Sequence, residues 1–211
     1  MHREEKSERS RRYVLDAALD LFSHRGYGAT SVRDVADAAG VSTGNLYHHF
    51  PDKEAIFKTL LDELTEVVGS RRFPYRRALA AGHFPDNIEA LAFGARESVI
   101  EFRQYFALIY VDVIEFGGMH IKDFYGGMST RFAEFLAESN AGQKLTDRLR
   151  SGVSPISALQ LTTRLLFNYF TMEILFNVAE PFGKDSSEII REIADILRNG
   201  MAAAPESAVD S

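Results

Sequence analysis

The sequence predicts an all-α protein of about nine helices, arranged as a three-helix headpiece followed by a larger helical domain. Three observations lead to this prediction. Apolar residues recur at helical spacing through most of the 211 residues, and no stretch alternates as a β-strand does. Capping residues and Gly or Pro stop signals separate the helical stretches. Hydrophobic residues make up 45% of the chain, which is enough for a substantial core.

The first predicted helix spans residues 10–25 and ends at Gly26. The polar residues that precede it are expected to fray. Its apolar stripe consists of Val14, Ala17, Ala18, Leu21 and Phe22. Three arginines near its start are typical either of a solvated surface or of a basic arm that contacts phosphates or the minor groove: Arg9, Arg11 and Arg12.

Residues 30–50 predict two short helices joined by a tight turn. Ser31 is placed to cap the first helix, and Asp34 completes the spacing of a capping box. Gly40 stands where the chain needs a residue that tolerates the left-handed conformation, and Ser42 caps the second helix. Two helices with this glycine turn are the arrangement of a helix-turn-helix, whose second helix enters the major groove of DNA.

The remaining chain predicts further helices. Pro51 ends the second helix of the motif, and Asp52 caps a helix that runs to about Ser70. The basic stretch 71–77 is typical of a nucleic-acid patch or of a solvated connection, and the second interpretation is preferred. Later helices are expected over about residues 86–103, 104–116, 120–139, 155–179 (with Pro155 in its first turn) and 186–201. The predicted domains are a headpiece at 1–53, a helical domain at 54–202 and a disordered tail at 203–211.

The net charge is −6, but the distribution of the charges along the chain is compatible with DNA binding. Residues 1–53 contain eight Lys or Arg and eight Asp or Glu, so the acidity lies in the rest of the chain. A neutral headpiece binds DNA if its cations and helix N-termini share one face. The chain has no Cys, which excludes disulfides and thiolate metal sites. With no long apolar run and a polar start, it is expected to be cytoplasmic and without membrane contact.

The motif resembles the TetR family of bacterial transcriptional regulators. The shared pattern is Thr30-Ser31-x-Arg33-Asp34-Val35-Ala36, then Ala39-Gly40-Val41-Ser42-x-Gly44-x-Leu46-Tyr47-His48-His49-Phe50-x-x-Lys53-Glu54. The resemblance covers about residues 10–57. It implies a homodimer whose last two helices, here about 155–179 and 186–201, pair across a two-fold axis. It also implies a pseudo-palindromic double-stranded DNA operator and a small molecule in the larger domain that lowers DNA affinity.

The predicted DNA-contacting residues are Thr30, Ser31, Arg33, Ser42, Thr43, Gly44, Asn45, Tyr47, His48 and Lys53. A Ser42 cap leaves the helix amides pointing outward, toward a phosphate. Gly44 allows the backbone to approach DNA closely. The other side chains of this helix reach base edges or phosphates. Lys53 lies in the first turn of a helix, a poor place for a cation, and a phosphate partner explains it.

Three residues of the same helix have other interpretations. Leu46 and Phe50 are predicted core residues. His49 is expected to be packed beside them and hydrogen-bonded. The adjacent His48 and His49 do not form a metal-binding pair, because neighbours on a helix point about 100° apart.

The larger domain is rich in aromatic residues, which either form a plain core or leave a hydrophobic pocket. We expect a small hydrophobic effector, aromatic or acyl-chain-like. The candidate ligand-binding residues are Phe102, Arg103, Phe106, Tyr110, His120, Phe124, Tyr125, Phe170 and Glu173. A metal site built from Asp112, Glu115, His120 and Asp123 is disfavoured, because Gly117 and Gly118 separate the two pairs. The prediction is therefore no metal and no cofactor.

The sequence thus predicts a ligand-responsive DNA-binding transcriptional regulator, most simply a repressor released from its operator by the effector. The alternative is an all-α dimeric sensor or carrier of a hydrophobic ligand without DNA-binding activity. An enzyme is not expected, because the chain shows no nucleophile–base motif and no phosphate-binding glycine loop.

Overall fold

The computed structural model describes residues 2–81, 83–138 and 145–201. These residues contain eleven α-helices and no β-strand, which confirms the all-α prediction. The predicted tail at 203–211 lies outside the described residues. The helices are α1 His2–Arg25, α2 Val32–Ala39, α3 Thr43–His49, α4 Lys53–Gly69, α5 Pro74–Ala81, α6 Ile88–Glu101, α7 Arg103–Phe116, α8 Ile121–Gly126, α9 Met128–Glu138, α10 Pro155–Ile174 and α11 Ser186–Met201.

The chain forms two compact units. Of the described residues, the first unit contains 2–68 and 102–125, and the second contains 69–81, 83–101, 126–138 and 145–201. In the first unit, α1 packs against α2, α3 and α7. In the second, α6 packs against α5, α10 and α11, while α9 packs against α10.

The predicted helix-turn-helix caps are present in the structure. The Ser31 hydroxyl accepts a hydrogen bond from the Asp34 N–H, and the Asp34 carboxylate accepts one from the Ser31 N–H. Gly40 ends α2 with φ at 66°, the left-handed conformation that glycine adopts without strain. Its successor Val41 donates to the carbonyl of Ala36. These local bonds fix the angle at which α3 follows α2.

The core of the first unit is an aromatic cluster. Phe22 of α1 and Phe57 of α4 are fully buried, with ring centroids 5.7 Å apart. Tyr27 lies 5.5 Å from each of them. Phe116 stacks on Phe57 at 5.1 Å, so the end of α7 belongs to this core. Burial of such rings is the main stabilising contribution to this unit.

The second unit is built around α6 and α10. Phe170 and Tyr169 of α10 are buried with their rings at a centroid distance of 5.0 Å. The hydroxyl of the buried Tyr75 lies 2.7 Å from that of Thr163, so its polar end is hydrogen-bonded. Pro155 occupies the first turn of α10, as predicted, and Ser154 caps this helix.

Several helix boundaries differ from the prediction. The first helix begins at His2, where Glu4 and Glu5 in its first turn favour helix formation. The stretch 71–77, interpreted as a solvated connection, contains the start of α5, whose Pro74, Tyr75 and Leu79 are buried. The predicted 120–139 helix is two helices, separated at Gly126 and Gly127.

Two further differences concern the last helices. The helix that begins at Pro155 ends at Ile174, because Asn177 and Glu180 adopt positive φ values of 54° and 47°. On α11, Ile196 continues the apolar spacing of the buried Ile189 and Ile193, but it is 69% exposed.

The capping box makes stability depend on pH in a defined direction. Hydrogen bonds from the Ser31 hydroxyl and N–H lower the pKa of Asp34. The stabilisation is therefore present above about pH 4, the ordinary range of an aspartate, and is lost as the pH falls through the lowered pKa.

We expect Asp34→Asn to reduce the free energy of unfolding at pH 7 and to have a progressively smaller effect as the pH is lowered. Urea unfolding across pH measures this, with Asp37→Asn on the same helix as control. An equal Asp34→Asn effect at pH 7 and pH 3 would contradict the assignment.

Candidate nucleic-acid interface

Helix α3 presents a polar face and buries an apolar one, as the sequence predicts. Leu46 and Phe50 are buried. Thr43, Gly44, Tyr47 and His48 are exposed, and the Tyr47 side chain is 53% exposed although it is large and aromatic. An exposed tyrosine on a short helix carries its hydroxyl on a rigid arm. The arrangement therefore leaves a row of hydrogen-bonding groups open to a partner.

The N-terminal end of α3 is fixed by its own cap and by α1. The Ser42 hydroxyl accepts from the Asn45 N–H at 3.1 Å. The Ser10 hydroxyl donates to the Asn45 side-chain oxygen at 2.9 Å. Asn45 is only half-exposed, and one of its polar atoms is already used within the protein. Sequence reasoning missed the Ser10 contact, which spans 35 positions of the chain.

Gly44 is exposed and needs no special conformation. A Cβ atom built at Gly44 meets nothing closer than the Ser42 hydroxyl oxygen at 4.0 Å, and its φ lies outside the positive range. Glycine inside a helix costs about 0.5–1 kcal/mol relative to alanine. The fold itself gives no reason for glycine here, whereas the close approach of a partner's backbone would.

Lys53 has partners that the sequence did not reveal. Its ammonium group donates to the carbonyls of Tyr27 and Thr30, each at 2.8 Å. It also lies 3.9 Å from the centroid of the Tyr27 ring, a cation–π contact. Burial lowers the Lys53 pKa, and the charge of Glu115 partly opposes this shift. The carbonyl partners explain this cation at the start of α4 without a phosphate.

The predicted contacts at the start of α2 divide into two groups. The side chain of Thr30 is buried and its hydroxyl donates to the carbonyl of Gly26, so it does not reach outward, contrary to the prediction. Ser31 is exposed, but its hydroxyl is engaged with Asp34. Arg33 is exposed and forms a 3.7 Å ion pair with Asp37, so it remains available to a partner at the surface.

His49 is packed but not hydrogen-bonded as expected. Its Nε2 atom is buried without a hydrogen-bond partner among the described residues. Burial lowers the His49 pKa, and the neighbouring His48 and Arg11 lower it further. The His49 ring therefore packs within the headpiece and helps to hold α3 in place.

The predicted ligand-binding residues of the first unit have several environments. Phe106 and Phe124 are buried, while Phe102 and Tyr110 are half-buried. Arg103 and Tyr125 are exposed. His120 is enclosed: its Nδ1 lies 2.6 Å from the Asp112 carboxylate and its Nε2 lies 3.3 Å from the Glu54 carboxylate. Both ring nitrogens thus already have protein partners.

The two predicted ligand-binding residues of the second unit have structural partners. Phe170 is fully buried against Tyr169. Glu173 lies 3.6 Å from Arg96 and accepts a hydrogen bond from the Ser186 hydroxyl at 3.0 Å. These contacts give both residues a role in holding α10 within the second unit.

A cavity of about 330 Å³ in the first unit includes two of the predicted ligand-binding residues, His120 and Phe124. Its lining is more polar than predicted, because α4 contributes Lys58 and Asp62, and the region around α8 contributes Lys122 and Asp123. The remaining lining residues are Leu61, Thr65, Met119 and Ile121.

The described residues 2–81, 83–138 and 145–201 contain no cluster of three or more His, Asp or Glu arranged to hold a metal ion. Within the same residues, none of the helices has both the length and the apolar character that a membrane span requires.

The Lys53 geometry predicts a structural role for this side chain. Lys53→Met keeps the aliphatic stem but removes the bonds to two carbonyls. We expect the free energy of unfolding to fall by about 1 kcal/mol, as for a partly exposed hydrogen-bonded ammonium group. Lys58→Met, on the exposed face of the same helix, is the matched control. Chemical denaturation that shows equal stability for the Lys53 and Lys58 variants would contradict this role.

The chain is similar to known proteins both in sequence and in fold, and the sequence matches concern mainly the headpiece. Residues 14–60 match the family described as "Bacterial regulatory proteins, tetR family". The transcriptional repressor KstR2 of Rhodococcus jostii (strain RHA1) is 44% identical over 69 residues, 33% of this chain and 32% of that protein. KstR2 of Mycolicibacterium smegmatis is 35% identical over 99 residues, 47% of each chain. These matches thus span less than half of the relatives' length.

Solved structures match over nearly the whole chain at low identity. A TetR family transcription regulator from Marinobacter aquaeolei VT8 has a TM-score of 0.67 at 18% identity, covering 97% of this chain and 100% of its own. KstR2 of Mycobacterium tuberculosis has a TM-score of 0.57 at 21% identity, covering 90% and 94%. At such identities the likeness concerns the fold alone. Residues 14–60 are thus a domain of the tetR family of bacterial regulatory proteins, and the fold resembles that of solved TetR family regulators.

Proposed function

We propose that this protein is a ligand-responsive DNA-binding transcriptional regulator, most simply a repressor that leaves its operator when a small hydrophobic effector binds. The observation that carries the proposal is the outward face of α3. Thr43, Gly44, Tyr47 and His48 lie exposed on a helix whose other face is anchored in the headpiece core. A helix of this kind inserts into the major groove and reads base edges while neighbouring groups contact phosphates.

Gly44 supports DNA rather than a small ligand as the partner. An exposed glycine that the fold does not require is expected where a large, rigid surface approaches the backbone. The phosphate backbone is such a surface, and the capped N-terminus of α3 offers amide groups to it. The named relatives, the KstR2 repressors and the regulator AcrR of Shigella flexneri, are transcriptional regulators, which accords with this choice.

We further propose that the protein forms a homodimer through α10 and α11. Along α10, Leu161, Arg164, Leu165 and Asn168 follow helical spacing and are all exposed. The Leu161 side chain is 64% exposed, and Ile196 on α11 is also open. Exposed aliphatic residues on the last two helices are typical of an interface between copies. A two-fold dimer would place two headpieces on the half-sites of a pseudo-palindromic operator.

We propose that the effector is small and hydrophobic and binds among the aromatic residues of the chain after the headpiece. The KstR2 structure is described as a ketosteroid transcriptional regulator, so ketosteroids are a reasonable first compound class to test. Arg103, Tyr110 and Tyr125 are the polar candidates at such a site. We propose that the protein acts on DNA in the cytoplasm.

Specific DNA binding is tested most simply with the promoter of the protein's own gene. Anisotropy titration of a labelled promoter duplex is expected to show binding that weakens steeply with salt, since phosphate contacts release counterions. A scrambled duplex of the same composition should bind much more weakly. Equal affinity for both duplexes at every salt concentration would argue against the proposal.

Tyr47 allows a test with a matched control. We expect Tyr47→Ala to weaken binding to the promoter duplex several-fold without loss of stability, because the ring is exposed and contributes little to the core. Phe93→Ala removes a similarly exposed aromatic ring, on α6, and should leave DNA affinity unchanged. If both variants bind like the wild type, α3 is not the reading helix.

The dimer proposal predicts that a charge on α10 separates the protomers. Leu161→Glu should shift the protein from dimer to monomer in size-exclusion chromatography with light scattering, because the carboxylate would be buried without a partner. Ile114→Glu introduces the same charge at an exposed aliphatic position on α7 and should leave the dimer intact. A dimer that persists in Leu161→Glu would place the interface elsewhere.

A further inference from the structure

The turn at residues 26–30, between α1 and α2, is held by two charged side chains of opposite sign. The Glu115 carboxylate at the end of α7 accepts from the N–H of Tyr27 at 2.8 Å and from the N–H of Gly28 at 2.5 Å. The Lys53 ammonium group donates to the carbonyls of Tyr27 and Thr30. The turn that leads into α2 therefore takes much of its hydrogen bonding from two other helices.

Two glycines make room for the Glu115 carboxylate. A Cβ atom at Gly26 would lie 2.9 Å from Oε1 of Glu115, and a Cβ atom at Gly28 would lie 2.9 Å from Oε2. Gly26 has a φ of 85°, so its backbone conformation alone favours glycine. The φ of Gly28 is not in the positive range, so its backbone conformation accepts any residue. Glu115 is thus the side chain that a methyl group at position 28 would have to displace.

The last turn of α7 is also fixed to α8 by Asp112, which lies almost one helical turn before Glu115. The carboxylate of Asp112 is fully buried and accepts from the N–H of Ile121 at 2.9 Å as well as from His120. Phe116, next to Glu115, lies 4.6 Å from the ring of Tyr27. The end of α7 is therefore held both to α8 and to the turn before α2.

We infer that Glu115 is a positioning residue for DNA binding: it sets the 26–30 turn, and through it the orientation of α2 and α3, and a displacement of the end of α7 releases this turn. The inference rests on the proposed function. A displacement of about 1 Å is enough, because it lengthens the two N···O distances beyond the normal range of about 2.7–3.2 Å for an N–H···O bond. His120, which lines the cavity beside α8, is bonded to Asp112 near the same end of α7.

Gly28→Ala tests this positioning without touching a DNA-facing residue. The added methyl group would meet the Glu115 carboxylate at the end of a flexible side chain and displace it, with no backbone strain at position 28. We expect Gly28→Ala and Glu115→Ala each to lower affinity for the promoter duplex by about fivefold or more, as expected for loss of charge-assisted hydrogen bonds. Affinity for a scrambled duplex should hardly change, because the phosphate-binding groups remain.

A double-mutant cycle separates positioning from a general loss of stability. In the Glu115→Ala background, Gly28→Ala should cause no further loss, because the carboxylate that it displaces is already absent. Glu66→Ala, on the exposed surface of α4, changes the net charge by the same amount as Glu115→Ala and is the control for charge. Hydrogen exchange should show faster exchange of the Tyr27 and Gly28 amides in both single variants, and thermal melting checks that all variants are folded.

The outcomes are distinguishable. Loss of specific affinity in both single variants, without further loss in the double variant, supports the inference. Wild-type affinity in both folded single variants would overturn it while leaving the proposed function intact, as would additive losses in the double variant. A wild-type protein that does not distinguish the promoter from the scrambled duplex would refute the proposed function, and the inference with it.

Discussion

A seven-residue helix has no stability of its own, and this constraint shapes the first unit. The α3 helix is held by two buried side chains, Leu46 and Phe50, and by caps at both ends. Thr43, Tyr47 and His48 then face outward, while Asn45 is hydrogen-bonded to Ser10 of α1. The orientation of α3 therefore depends on α1 and α2, against which it packs, and α2 begins directly after the turn that follows α1.

The charged groups at that turn hold its backbone by hydrogen bonds, a role that the family's sequence pattern does not indicate. Lys53 matches a family position that implies a phosphate contact, yet its ammonium group is bonded to two backbone carbonyls. Glu115 supplies the complementary bonds to two N–H groups of the same turn. The two charges lie on α4 and α7, so the position of the reading helix is tied to helices outside the three-helix headpiece. Such a tie is what a regulator needs if events at those helices are to change DNA affinity.

What the sequence could predict was local. The Ser31–Asp34 capping box, the Gly40 turn and the burial of Leu46 follow from residue types a few positions apart, and the structure confirms them. The Glu115 contacts link positions 87 and 88 residues apart, and no local pattern signals them. The start of α5 was missed because four arginines flank the apolar residues 73–75, and the charged pattern indicates a solvated segment. Ile196 follows the apolar periodicity of α11 and is nevertheless exposed, because periodicity alone does not distinguish a core face from an exposed apolar face.

In the proposed function, a two-fold dimer presents two copies of α3 to DNA. The decisive experiment is a hydroxyl-radical footprint of the wild-type protein on the promoter of its own gene. Protection is expected in two half-sites related by approximate two-fold symmetry, with centres separated by about one helical turn of 10 base pairs or a multiple of it. A single asymmetric protected patch, or no protection at concentrations where the protein is dimeric and folded, would contradict the proposed function.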